Sequence, residues 1–223
     1  MNRYLYNNLT IEVFNDSTFS LNSNDNLNVY NNIYFGEDAE KYPSSKHGIR
    51  LIENSEEITN CLIIGSGGGT SINENSSILD NDNLLVCCSN SVFSISILDL
   101  KLNWVKKLDM ATCFKIFRIE NDFVVHGELE ITRIDSFGNI IWQFGGADIF
   151  VSLDKEDSFQ LSENHIVLKD FTRTIYNLNF NGESICNKVF LQFNTNYVQA
   201  GCSYQRGLLK LLILILNNSL SSY

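Results

Sequence analysis

The second half of the chain repeats itself with a period of about 40 residues. Three segments align with one another, and they begin at Leu79, Ile119 and Leu161. Each segment opens with a polar turn and continues with short apolar runs that further turns separate. None of them shows the 3.6-residue period of a helix. Repetition of short strands and turns in this way predicts stacked antiparallel β-sheets.

The three copies share an apolar strand, a turn and a second apolar strand. The aligned positions are Ile95, Ile131 and Ile175; Leu98, Ile134 and Leu178; Asp99, Asp135 and Asn179; and Trp104, Trp142 and Cys186. In the second and third copies the turn ends at Gly138 and Gly182. An Asp or Asn side chain there can bond to its own backbone, and Gly can adopt a positive φ. The first copy has a shorter turn without Gly.

A strand before each opening turn, as in CFKIFRI and SFQL, completes about four strands per unit. The sequence therefore predicts an all-β fold, an antiparallel meander that forms a small propeller-like array of about four four-stranded blades. We expect a single domain over 1–223, with divergent strands in 1–74, three blade-like repeats in 75–193 and a tail of no repeat character in 194–223. The blades could close a ring or form an open arc.

Two stretches resemble a known repeat family. SVFSISILDLKLNW and EITRIDSFGNIIW are similar to the quinoprotein-type (PQQ-like) β-propeller repeat, in which a strand, an Asp and a Gly-containing turn precede a strand with Trp. The resemblance covers about 75–190 and implies a propeller-like fold. Quinoprotein enzymes are longer, have more blades and are exported, so the resemblance does not extend to their activity or cofactor. SKHGI, SGGGT, CSNSVF and HGELEI also resemble segments of a bacterial protein group for which no function is established.

The charge of the chain restricts its partners. The 223 residues carry a formal net charge of -10, with a pI of about 4.7. Such a chain repels phosphate backbones, so we expect no nucleic acid partner and favour a protein partner with a basic surface. The first residues contain no apolar signal region, and the longest apolar run, Leu208–Leu216, is too short to span a membrane.

The cysteines indicate a reducing compartment. The six are Cys61, Cys87, Cys88, Cys113, Cys186 and Cys202, and no two of them form a CxxC motif. Most lie in apolar runs, so we interpret them as buried free thiols in a cytoplasmic protein.

One candidate catalytic or metal site is the alternating set His126, Glu128 and Glu130. If these residues lie on one strand, they share a face and could bind Zn, Mn or Fe, with Asp148 approaching from the next loop. The alternative is that Gly127, Leu129 and Ile131 form the buried face of a strand and the three polar residues face solvent. No cofactor is predicted.

A second candidate is the glycine-rich stretch GSGGGTS. Its ligand-loop residues are Gly65, Gly67, Gly68, Gly69 and Thr70. Backbone N–H groups of such a loop can hold a phosphate, but the stretch has no Lys and no helix after it, as a P-loop would require. The alternative is a turn, or a close approach of two backbones.

Three functions remain open from the sequence. The leading hypothesis is a non-enzymatic cytoplasmic binding module, one version of which is an immunity-type protein that neutralises a basic toxin. The second is a metal-dependent or hydrolytic enzyme that uses the His126 set. The third is a small-ligand or sugar binder that uses the Gly65–Thr70 loop and nearby aromatic residues such as Phe144. No G-x-S-x-G nucleophile motif is present, so an enzyme is the less favoured class, and the oligomeric state is left open.

Overall fold

The structure is a computed structural model that describes residues 1–152 and 157–185 and the backbone of two later strands within 190–199. The chain divides into two compact units, Met1–Gly182 and Glu183–Tyr223. Among the described residues there are strands and turns and no helix, and therefore no helix that could cross a membrane. The predicted all-β class is confirmed.

The described residues of the first unit form sixteen strands in four sheets. Their bounds are β1 Asn2–Tyr6, β2 Leu9–Asn15, β3 Asn32–Phe35, β4 Ser45–Glu53, β5 Glu56–Gly65, β6 Ser77–Asp80, β7 Asn83–Cys88, β8 Ser91–Ser96, β9 Leu102–Lys107, β10 Cys113–Ile119, β11 Asp122–Gly127, β12 Glu130–Ile134, β13 Ile140–Gly145, β14 Phe159–Leu161, β15 Ile166–Lys169 and β16 Ile175–Leu178. In the second unit, β17 Phe190–Phe193 pairs with β18 Asn196–Gln199 as an antiparallel hairpin.

Three of the sheets are consecutive meanders, as the repeat predicts. The second sheet has the order β6-β7-β8-β9, the third β10-β11-β12-β13 and the fourth β14-β15-β16. The first sheet has the order β1-β2-β4-β5-β3, and its β3 runs parallel to β5. A hairpin at 53–56 joins β4 to β5, with Asn54 and Ser55 both at positive φ. The first sheet is thus a five-stranded variant of the blade.

The sheets of the first unit stack face to face. One apolar cluster lies between the first and second sheets, another between the second and third, and another between the third and fourth. Strand β7 contributes side chains to two of these clusters, because Cys88 faces the first sheet and Cys87 faces the third. A strand that is buried on both faces requires a continuous apolar sequence, which explains the run LLVCC.

The outer strand of each sheet holds a turn of the next sheet. Trp104 on β9 donates its indole N–H to the carbonyl of Ser136 at 3.2 Å, and Trp142 on β13 donates to the carbonyl of Phe180 at 2.8 Å. Under each indole lies the glycine of that turn, Gly138 or Gly182. The two tryptophans thus make contacts between sheets. Their equivalence in the repeat is confirmed, because Trp104 pairs with Ser94 and Trp142 with Arg133, and each pair lies directly beside a β-bulge.

A tyrosine makes the same contact at the first sheet. Tyr34 on β3 donates its hydroxyl to the carbonyl of Leu100, in the β8–β9 turn, at 3.1 Å. The sequence repeat gave no indication of this residue, because β3 lies outside the repeat and joins its sheet through a parallel pairing. Hence each of the first three sheets uses one aromatic side chain of its outer strand to hold the next turn.

The sequence alignment of the first copy is wrong by three residues. Strand register places Ile95 opposite Leu84, as Ile134 lies opposite Phe123 and Leu178 opposite Ile166. Ile95 therefore corresponds to Ile134 and Leu178, not to Ile131 and Ile175. Six residues separate Ile95 from its partner Leu102 in the first copy, against five between Ile134 and its partner Ile140, and the longer stretch contains its own apolar residues. The apolar residues of this stretch resemble a strand in sequence, and the alignment therefore matched Leu98 instead of Ile95 to Ile134.

Several predictions lie outside the described residues. They concern Cys186, Cys202 and the apolar run at 208–216.

Replacing Gly138 by Val is expected to destabilise the first unit by about 1–3 kcal/mol. Gly138 has a φ of 78°, and a Cβ there would lie 3.0 Å from the Trp104 ring. Urea denaturation measures the effect. Gly145→Ala is the matched control, because its Cβ would meet no atom closer than 3.8 Å. Equal midpoints for the two variants would contradict the proposed role of the glycine.

Candidate functional site

His126, Glu128 and Glu130 do not share one strand. His126 is near the end of β11, Glu128 lies in the connection that follows, and Glu130 begins β12. The pairing of His126 with Ile131 closes a hairpin around 127–130. The prediction of a common strand face is therefore wrong. The alternative is also wrong in part, because His126 is 4% exposed and Leu129 is 39% exposed.

The buried carboxylate of Asp109 stabilises this hairpin through hydrogen bonds to its backbone. Its Oδ2 accepts the N–H groups of Leu129 and Glu130, both at 2.9 Å, and its Oδ1 accepts those of Ala111 and Thr112. A single carboxylate thus satisfies backbone donors from two loops that would otherwise be unpaired.

His126 is part of the core. Its ring stacks on Phe159 and meets Phe114 edge-on, and its Nε2 lies 3.1 Å from the carbonyl oxygen of Phe150 and 3.3 Å from Ser158 Oγ. Burial lowers the pKa of His126 to about 4, so the ring is neutral near pH 7. Its Nδ1 is buried and has no hydrogen-bond partner among the residues that the structure describes.

The carboxylates of the set have other partners. Glu128 Oε2 accepts a hydrogen bond from Thr112 Oγ1 at 2.9 Å, and Asp148 Oδ1 accepts the N–H of Ile149. The loop that contains Asp148 does reach this hairpin, since Phe150 donates its N–H to the carbonyl of Glu128. In the part of the chain that the structure describes, no group of three or more His, Cys, Asp or Glu side chains could hold a metal ion.

The glycine-rich loop is a close approach of backbones. A Cβ on Gly65 would collide with the carbonyl of Cys88, one on Gly67 would lie 2.6 Å from the carbonyl of Ala111, and one on Gly68 would collide with Thr112 Oγ1. Gly67 also has a φ of 103°, whereas nothing lies within 4 Å of a Cβ on Gly69. The loop is therefore packed against the second and third sheets. Phe144 packs instead against Phe150 and Tyr176.

Tertiary structure brings the two predicted sites to the same place. Gly68 donates its N–H to the carbonyl of Ala111, and the next residue, Thr112, binds Glu128. Similar backbone hydrogen bonds join Cys113 to Ser89 and Phe171 to Ile149. We call this end of the first unit the loop end. Its connections are tied to one another from the first sheet to the fourth.

A buried polar cluster at the loop end was not predicted from the sequence. Thr70 Oγ1 lies 3.3 Å from His47 Nε2, accepts the N–H of Ser89 at 2.9 Å and contacts Ser45 Oγ. His47 is buried, which lowers its pKa to about 4. Within the described part of the chain, His47 Nδ1 and Ser89 Oγ have no hydrogen-bond partner. The sequence signal, an isolated His in SKHGI on a strand, does not distinguish a core histidine from a ligand.

The opposite end, which we call the turn end, consists of hairpin turns. It contains the β4–β5, β6–β7, β8–β9, β10–β11 and β12–β13 turns, and it is held together by contacts such as Tyr6 with Asp82 and Arg118 with Asp80. Leu98 is 66% exposed and Phe137 is 74% exposed. By the strand register they occupy the same position in consecutive turns, three residues after Ile95 and Ile134. The sequence alignment missed this pair because of its three-residue error.

The turn end carries an excess of negative charge. Lys101 pairs with Asp99 at 2.7 Å, Arg118 pairs with Asp80, and Arg133 is buried between Asp122 and Glu120 at 2.6 and 2.8 Å. Asp82 and Glu163 add charges that no ion pair among the described residues balances. The exposed apolar pair thus lies on an end of the unit that carries excess negative charge.

The comparisons with known proteins concern the fold alone. No protein-family model matches the chain, and no curated protein matches it. BamB from Moraxella catarrhalis is 13% identical with a TM-score of 0.42, over 62% of this chain and 42% of that one. The computationally designed Ika8 protein is 10% identical with a TM-score of 0.45, over 64% and 45%. The AfRom2 CNH domain is 14% identical with a TM-score of 0.41, over 70% and 54%. The chain therefore spans less than two thirds of each, and values this low carry no argument about function.

The two buried histidines are expected to make stability depend on pH. Their folded-state pKa values of about 4 lie below the 6.5 of the exposed side chain, so between these values only the unfolded chain binds the protons. Stability should therefore fall as the pH is lowered from about 6.5 towards 4, by at most about 3 kcal/mol per histidine. Urea midpoints across this range measure it. His126→Asn should flatten the slope, and an unchanged slope would refute the assignment.

Gly68→Ala is expected to lower the melting temperature, because its Cβ would displace Thr112 Oγ1 from Glu128. We expect a loss of about 1–3 kcal/mol. Gly69→Ala, one residue further along the same loop, should leave stability within about 0.5 kcal/mol of the parent. A neutral Gly68→Ala would show that the loop is not packed as described.

Proposed function

We propose that this chain is a non-enzymatic protein-binding module that binds a partner with a basic surface. The observation that carries the proposal is the turn end, which has an excess of carboxylates and where Leu98 and Phe137 are exposed at equivalent positions of the β8–β9 and β12–β13 turns. Large apolar residues on a rigid scaffold are suited to be anchors in a protein interface.

The charge around the anchors supports a basic partner. Carboxylates at a rim act mainly on the association rate and on partner choice, because they attract a cationic surface over a distance and repel an anionic one. The turn that displays Phe137 is held in place by hydrogen bonds. Asp135 accepts the N–H groups of Phe137 and Asn139, both at 2.8 Å, and Trp104 holds Ser136. A preorganised turn loses little conformational entropy on binding.

Two finer parts of the proposal concern biological setting. A cytoplasmic location is supported by Cys61, Cys87, Cys88 and Cys113, which are buried free thiols. Burial raises the pKa of the Cys61 thiol to about 12, and such a thiol is unreactive. An immunity-type role, the neutralisation of a basic toxin, is supported by the acidic turn end.

The test is affinity capture from cells that express the protein, at about 50 mM and about 500 mM salt. The parent is expected to retain a basic protein at low salt and to lose most of it at high salt. Leu98→Ser combined with Phe137→Ser should reduce retention of that protein at least about tenfold.

Met110→Ser is the matched control, since Met110 is 71% exposed but lies at the loop end. It should retain the partner as the parent does. The proposal is wrong if no protein is retained at low salt, or if the double variant retains the same protein as the parent.

A further inference from the structure

The turn that follows β16 contains the only Asn-Gly pair of the sequence, Asn181 and Gly182. Such a pair is chemically labile, because glycine has no side chain to keep its backbone nitrogen from the side-chain amide of the preceding asparagine. Asn181 is exposed. Asn179 opens the turn, and it accepts the N–H of Asn181 at its side chain and that of Gly182 at its carbonyl, both at 3.0 Å. A labile pair thus lies in a hydrogen-bonded turn at the surface.

The fold requires the glycine of this pair but not its asparagine. Gly182 has a φ of 79°, and a Cβ there would lie 2.7 Å from the Trp142 ring, so any other residue would be strained. Position 181 follows Leu178 by three residues, as Phe137 follows Ile134, and strand register makes Leu178 and Ile134 equivalent. The preceding turn therefore has a phenylalanine where this one has an asparagine. The lability of the pair comes from a position that the turn does not specify.

Trp142 holds this turn in place. Its indole N–H donates to the carbonyl of Phe180 at 2.8 Å, and its ring lies on Gly182, whose nitrogen is the atom that would react. The N–H of Gly182 is engaged by the carbonyl of Asn179, and this hydrogen bond has to break before the nitrogen can attack the Asn181 side chain. The turn must therefore open locally before the pair can react.

We propose that Asn181 is a site of spontaneous deamidation and that the Trp142 contact controls its rate. The Gly182 nitrogen attacks the side-chain amide carbon of Asn181 and forms a new C–N bond. The bond from that carbon to the amide nitrogen breaks, and ammonia leaves with the proton of the Gly182 N–H. Water then opens the resulting succinimide ring at one of its two carbonyl carbons. The products are aspartate and isoaspartate, and these steps need no enzyme and no oxidant.

Both products change the turn end. Each places a carboxylate at position 181, where the preceding turn displays Phe137, and so adds one negative charge. Isoaspartate also lengthens the main chain before Gly182 by one atom. Gly182 then cannot keep both its place under Trp142 and its hydrogen bond to Asn179, so the contact between the third and fourth sheets at this turn is lost. The inference does not rest on the proposed protein-binding function.

Peptide mapping by mass spectrometry, after incubation of the full chain near neutral pH, tests the proposal. The reference is the free peptide LNFNGES, residues 178–184, in which no fold restrains the pair. The parent is expected to react at Asn181 at least about tenfold more slowly than the peptide. Trp142→Phe is expected to react at least about threefold faster than the parent, because it loses the hydrogen bond to Phe180.

Trp104→Phe is the matched control. It removes the same kind of hydrogen bond from the preceding turn, at Ser136, and should leave the rate at Asn181 unchanged. Asn54, which is exposed beside Ser55 in the β4–β5 hairpin, is an internal reference whose rate should be the same in every variant.

Four results would overturn the proposal. The first is an unmodified Asn181 in Trp142→Phe under conditions that modify the peptide. The second is a parent that reacts as fast as the peptide, and the third is a Trp142→Phe variant that reacts no faster than the parent. The fourth is an equal acceleration by Trp142→Phe and Trp104→Phe, which would show that the reaction follows global unfolding and not the opening of this turn.

Discussion

The stack of sheets depends on one repeated contact, in which an aromatic side chain of an outer strand donates a hydrogen bond to a carbonyl in the next sheet's turn. Tyr34, Trp104 and Trp142 make it in turn. At the two tryptophans the indole also lies on a glycine of that turn. Apolar burial between sheets is large but not directional, whereas this contact fixes which turn faces which strand. It thereby positions the turns that display Leu98 and Phe137, and the turn that contains Phe180.

The loop end has the opposite character. Its polar residues serve the fold: Asp109 satisfies the backbone of two loops, Thr112 joins the glycine-rich loop to Glu128, and His126 is buried among aromatic rings. Buried polar groups are costly unless they are hydrogen-bonded, so a junction of several loops needs such residues even without a ligand. Residues with catalytic chemistry can therefore occur here for structural reasons. The roles of the His126 set and of the glycine-rich loop in binding stay predictions.

The proposed recognition surface lies away from this junction. The turn end displays two exposed apolar side chains, Leu98 and Phe137, on an end of the unit with excess negative charge, which suits a basic protein. The contacts between sheets hold the turns that display them, and binding there does not require the loop end to open.

The sequence by itself determined the class of the fold, because period-2 strands, turn residues and a period of about 40 residues are local properties. It also identified Gly138, Trp104 and Trp142 as elements of one repeated unit. It could not supply the parallel pairing of β3 or the role of Tyr34, since both depend on residues distant in the chain. Only the tertiary structure decided that HGELE and GSGGGTS meet at Thr112, and that Leu98 and Phe137 are equivalent. Side-chain burial and register arise from contacts between sheets, and an alternating pattern of polar residues does not reveal which face will be covered.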